Sequence, residues 1–180
     1  MIQHIEGKMD VSKANLSFLG REFLTWLWFK SEERNGTIMV PNVGDIEIVF
    51  VRRLILASGE GQYSETVACQ GLHSDLKEGK AALRKGKKIK EARLKLSIET
   101  DDCEFTFKAD TFQFQTVKLP VTMNLDEEEK DKDGRILERI YLTETVIGMM
   151  EKLFSLFLNK RLSPAWTSEE VPRINKWMQE

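Results

Sequence analysis

"ARLKLSIETDDCEFTFKA", residues 92–109, decides the architecture. Ala92, Leu94, Leu96 and Ile98 alternate with Arg93, Lys95 and Ser97, and Cys103, Phe105, Phe107 and Ala109 alternate with Glu104, Thr106 and Lys108. An apolar period of two puts each apolar set on one face of a pleated strand, and the polar "TDD" between the halves predicts a hairpin turn. Such a sheet has one apolar face that must be covered.

The neighbouring segments extend that sheet. "FQFQTVKL" adds Phe112 and Phe114 before Pro120 stops it. Upstream, "DIEIVFV", "LILAS" and "ETVACQ" predict three further antiparallel strands, with a Gly-rich connection at Ser58–Gly61. The cover comes from "LSFLGREFLTWLWFKSEERNG", residues 16–36, where Leu16, Leu19, Phe23, Trp26 and Leu27 recur at helical spacing and Gly36 is placed as a left-handed cap. Phe18, Leu24, Trp28 and Phe29 occupy its other faces, so the helix is expected to be buried on more than one side. Its aromatic density reads as core rather than as a base-stacking platform.

A short helix is predicted from Asp75, with Glu78 as capping-box partner and Gly86 at its end. The charged connector "LDEEEKDKDG" leads to a long helix from about Arg135 to Asn159. Ile136, Ile140, Ile147, Phe154 and Phe157 form one stripe on it; Leu142, Val146, Met149, Leu153 and Leu156 form another. One partner surface cannot bury both, so this helix is either central to the fold or part of a subunit contact. Ser168 is expected to cap a last helix through Trp177, with Pro172 in its first turn. The expected fold is α+β: antiparallel sheet packed with a buried N-terminal helix, a short basic helix and a long C-terminal helix. Residues 1–15 form a lead-in arm, 16–166 a single domain, and 167–180 the short C-terminal helix.

The chain has 180 residues, 41% of them hydrophobic, which supports one sizeable core and excludes a mostly disordered protein. Two widely separated cysteines and no secretory leader point to a reduced, cytosolic setting. Glu138, Arg139, Glu144, Glu151 and Lys152 interrupt the long helix, so it is not a membrane span.

Known catalytic patterns are weak. A P-loop needs Gly, four residues, then Gly-Lys-Ser/Thr; here Gly79 precedes Gly86 by seven residues and Lys88 stands where the hydroxyl belongs. Asp131, Asp133 and Gly134 have calcium-loop spacing, but that register puts Ile140 where a bidentate acid is required. His4 and His73 lie near no metal-ligand partner, and Cys69 and Cys103 fall in apolar strand patterns. Asp101, Asp102 and Glu104 could hold magnesium for nuclease chemistry, although the same residues suit a turn. No catalytic residue, metal site or cofactor is assigned.

The strongest signal is electrostatic. Between Lys77 and Lys95 lie nine Lys or Arg and two acids, a surplus of seven positive charges in a chain of net charge −2, leaving −9 elsewhere. Lys77, Lys80 and Arg84 line a helix stripe, Lys85, Lys87, Lys88 and Lys90 continue through the connector, and Arg93 and Lys95 share a strand face. They are expected to form one basic surface suited to phosphates, unless Glu91, Glu104 and nearby acids pair with them.

"LGREFLTWLWFKSE", "LKEGKAALRKGKKIKEARLKL", "VKLP" and "RLSPAW" resemble the short members of the recombination-associated RdgC family, over residues 16–166. The resemblance implies a cytoplasmic, nucleoid-associated protein that binds double-stranded DNA without sequence preference. Longer relatives form a ring-shaped dimer around DNA and restrain the RecA recombinase; this chain matches mainly their C-terminal half. The expectation is therefore a non-enzymatic, homo-oligomeric DNA-binding protein. Its phosphate contacts would come from Lys77, Lys80, Arg84, Lys85, Lys87, Lys88, Lys90 and Arg93, with a RecA-type recombinase as a further partner. The alternatives are a protein-interaction or assembly module and, third, a metal-dependent nuclease.

Overall fold

An aromatic helix covers the apolar sheet face in the computed structural model, which describes residues 11–33, 36–41, 44–58, 65–71, 77–98, 101–120 and 132–180. In chain order the elements are α1 (Val11–Glu33), β1 (Thr37–Val40), β2 (Gly44–Ser58), β3 (Glu65–Gly71), α2 (Lys77–Arg84), β4 (Lys88–Ile98), β5 (Asp101–Lys108), β6 (Gln113–Lys118), α3 (Lys132–Arg161), a π-helical turn (Trp166–Glu170) and α4 (Val171–Trp177). The described strands form one antiparallel sheet in the order β1-β2-β4-β5-β6, with β3 also paired to β2. The protein is α+β, as its apolar periods predict.

The β4–β5 hairpin has the expected inward set, with Leu94 opposite Phe105 and Leu96 opposite Cys103. β5 begins earlier than predicted: Asp101 and Asp102 belong to it, opposite Ile98 and Ser97. "DIEIVFV" and "LILAS" are one 15-residue strand, β2, because the register shift between Phe50 and Leu54 absorbs the break in alternation. One end of β2 pairs with β1, an unpredicted strand, and the other with β3.

Phe23, Leu24, Trp26, Leu27, Trp28 and Phe29 of α1 are all buried. Phe23 meets Phe107 of β5 at 6.2 Å on one side and Phe154 and Phe157 of α3 at 5.2 and 5.6 Å on the other. The helix is thus a middle layer. Aromatic residues are mediocre helix formers, but burying each gains about 1.5–3 kcal/mol, which outweighs a few tenths of propensity. Gly20 lets α1 approach the β5–β6 turn, since a Cβ there would sit 2.0 Å from the Ala109 carbonyl oxygen.

Two boundaries differ from expectation, and a third lies outside the described residues. α1 begins at Val11, ahead of the expected start of order at Leu16, and residues 1–10 lie outside the described residues. Asp75, the expected cap of the basic helix, also lies outside them. Ser168 caps nothing: it sits inside the π-helical turn, its hydroxyl donating to the Pro164 carbonyl, and Glu170 takes the cap position of α4. α4 belongs to the common core, with Trp177 edge-on to Trp28 at 5.0 Å.

Candidate nucleic-acid interface

α2 lies on the same side of the sheet as α1, because its Gly79 is packed against Leu54 of β2 and Trp28 of α1. Opposite that buried side, Lys77 and Arg84 stand seven residues apart, two turns and nearly one line along the helix, and both are exposed. The helix ends in a Schellman motif, with Gly86 N–H donating to the Leu83 carbonyl (2.9 Å) and Lys87 N–H to that of Ala82 (3.1 Å). Gly86 has φ +84°, which costs a residue with a Cβ about 1 kcal/mol or more. The turn delivers the chain at once into β4.

Lys88 and Lys90, expected in the connector, are strand residues. A register shift matches Ile55 with Glu91 but Leu56 with Ile89, so both Ile89 and Ala92 face the core and Lys90 is the extra residue between them. Lys90 is exposed. Lys88 places its ammonium 4.2 Å from the ring centre of Phe18 on α1.

The eight predicted contacts do not share one surface. Beyond the shift, β4 regains strict alternation, which turns Arg93 and Lys95 to the open sheet face, away from α1 and α2. There Arg93 donates to Glu104 (3.1 Å), to Thr106 (3.3 Å) and to the carbonyl and hydroxyl of Thr116 (both 2.8 Å). Lys95 lies 2.6 Å from Asp102, which also accepts from Ser97. Hydrogen bonding between them raises the Lys95 ammonium pKa and lowers that of the Asp102 carboxyl. Glu91 pairs with Arg53 at 3.9 Å. Acids directly across or diagonal on neighbouring strands have neutralised this face.

Two helix-side cations are also engaged. Lys80 is 2.8 Å from Glu32 and lies over the Trp177 ring. Lys87, its side chain only 11% exposed, reaches Glu65 (2.9 Å) and the Ser58 hydroxyl (3.3 Å), and its hydrogen bond lowers the Glu65 pKa. Lys77, Arg84, Lys85, Lys88 and Lys90 remain, none in ion-pair contact with a described acid, although the charge of Lys90 acts on Asp110. They make a strip from α2 around its C-terminal turn to the start of β4, where Lys88 lies beside Phe18 in the N-terminal half of α1.

Of the acids considered for a nuclease, Asp102 and Glu104 are each tied to a cation, and among the described residues no three His, Cys, Asp or Glu are grouped to hold a metal ion. Asp133 and Gly134 of the calcium-like segment lie in α3, while Asp131 and both histidines fall outside the described residues. Burial, then the charge of Glu78, pushes the Cys69 thiol pKa up, which suits packing rather than nucleophilic attack. Sequence reasoning missed a buried carboxylate hub: Glu170 sits within 3.2, 3.8 and 3.5 Å of Lys30, Lys160 and Arg173, through an oxygen contributed by the unpredicted π-helical turn. Among the described residues no helix is long and apolar enough to cross a membrane. Scans against protein-family models, curated proteins and solved structures find no match to this chain.

Proposed function

We propose that this protein binds double-stranded DNA through its phosphates, without sequence preference. The carrying observation is the strip of Lys77, Arg84, Lys85, Lys88 and Lys90, five cations without an ion-paired acid among the described residues, in a chain otherwise acidic. Phosphates favour such a strip because each neutralised charge releases condensed counterions. Lysine and arginine without a helix presenting Asn, Gln and Arg to base edges position a duplex but do not read it. The resemblance to the RdgC family supports the same reading, and extends it to a nucleoid-associated role in which coverage of DNA restrains a RecA-type recombinase. Lys80, Lys87 and Arg93 serve the fold instead.

Fluorescence anisotropy with two unrelated duplexes over a salt series tests this. Equal affinities and a log–log salt slope of roughly −4 are expected, flattening when Arg84, Lys85 and Lys90 are changed to glutamate. Sequence preference, or no binding at about 50 mM salt and micromolar protein, overturns it.

A second reading, an assembly module, is favoured by α3. Five of the eight exposed large apolar side chains among the described residues, Ile136, Leu137, Ile140, Tyr141 and Ile147, lie on it between Ile136 and Ile147. The occupant is a second copy of this chain. Two antiparallel helices related by a dyad between Tyr141 and Leu142 would set Ile136 opposite Ile147 and Arg139 opposite Glu144, so apolar and charged positions both complement themselves. Sedimentation should give a dimer that Ile140→Glu dissociates; a monomer at about 100 μM removes this reading.

A further inference from the structure

Phe18 is the exception to the rule that the aromatics of α1 are core. It remains 43% exposed while Phe23, Trp26, Trp28 and Phe29 are almost fully buried. An exposed large ring is unremarkable alone, but this one stands at the β4 end of the cationic strip, with the Lys88 ammonium over it. Beside it is a shallow cleft of about 240 Å³ lined by Ser17, Phe18, Arg21, Ala57, Ser58, Gly86 and Lys88. Arg21 is committed to Asp110, through Nε at 2.6 Å and a second nitrogen at 2.9 Å, so it holds the cleft wall in place. Around Phe18, Lys88 supplies charge, Ser58 supplies a hydroxyl, and the absent side chain of Gly86 leaves open space.

A flat apolar surface flanked by cations is the arrangement by which proteins hold unpaired nucleotides, the ring stacking on a base and the cations meeting its phosphate. Continuous duplex cannot use such a ring, because its bases are already stacked on one another. We propose that Phe18 stacks on an unpaired nucleobase, so that the strip binds DNA with an exposed single-stranded end more tightly than blunt duplex. This rests on the DNA-binding reading and adds a preference that phosphate contacts alone cannot produce.

The test compares blunt duplex, the same duplex with a ten-nucleotide overhang, and the single strand, by anisotropy at one salt concentration, with wild type, Phe18→Ala, Phe18→Leu and Phe18→Trp. Wild type should prefer the overhang by about tenfold. Phe18→Ala and Phe18→Leu should lose that preference while keeping blunt-duplex affinity and thermal midpoint; Phe18→Trp should keep it. Blunt-duplex binding without preference, or a preference that survives both Phe18→Ala and Phe18→Leu, overturns the stacking role alone. Failure to bind any of the three DNAs removes the underlying reading and this one with it.

Discussion

Two carboxylates show how differently a single acid can act. Asp110 lies at the β5–β6 turn and takes hydrogen bonds from Arg21 and Ser17 of α1. Burial acts to raise its pKa, but the Arg21 hydrogen bonds and charge, helped by Ser17 and Lys90, outweigh burial and leave it below the ordinary carboxylate value. A depressed folded-state pKa contributes stability above the ordinary value of about 3.9, and that contribution disappears as pH falls through the folded-state value. Asp110→Asn should therefore be less stable than wild type by about 1–2 kcal/mol in urea melts at pH 7, with the gap closing in acid below about pH 4. Glu170 is a different case, a buried anion among three cations. Glu170→Gln removes the buried acid of this network, but Lys30 and Arg173 keep Glu33 and Lys160 keeps Glu169, so it should cost about 1–2 kcal/mol by the same measurement.

At the scale of elements, the α2–β4 junction matters most, because its geometry decides which cations project. Gly86→Ala must either hold a Cβ at φ +84° or abandon the Schellman motif. A loss of about 1 kcal/mol is expected, with weaker DNA binding at unchanged net charge, since Lys85, Lys87 and Lys88 flank the turn. Gly86 as the end of a helix was legible in the sequence. The register shift one step later was not: "KKIKEA" gives no period, and only pairing with β2 reveals that Ile89 and Ala92 face the same way. That hidden shift separates Lys88 and Lys90 from Arg93, two groups that sequence spacing had joined.

For the whole molecule, local periods foretold the sheet, the buried helix and the long helix, since burial enforces them residue by residue. Pairing across strands was not foretold, because which acid meets which cation depends on register between segments far apart in sequence. The consequence is a division of labour between two basic groups, which predicts opposite phenotypes. Arg93→Gln should lower the thermal midpoint, having removed bonds to Glu104, Thr106 and Thr116, with little change in DNA affinity. Arg84→Gln should lower affinity a few-fold, reduce the salt slope by about one, and leave the midpoint unchanged.

The contact between Trp28 and Trp177 has an optical consequence. Two indoles 5.0 Å apart and almost perpendicular couple their excited states, and the same Trp177 carries the Lys80 ammonium over its ring and donates its N–H to Glu32. Near-ultraviolet circular dichroism from that pair therefore reports whether the C-terminal helix is seated, without any label. Because Lys80 sits at the edge of the cationic strip, the same band is a built-in monitor of whether a ligand on the strip disturbs the core beneath it.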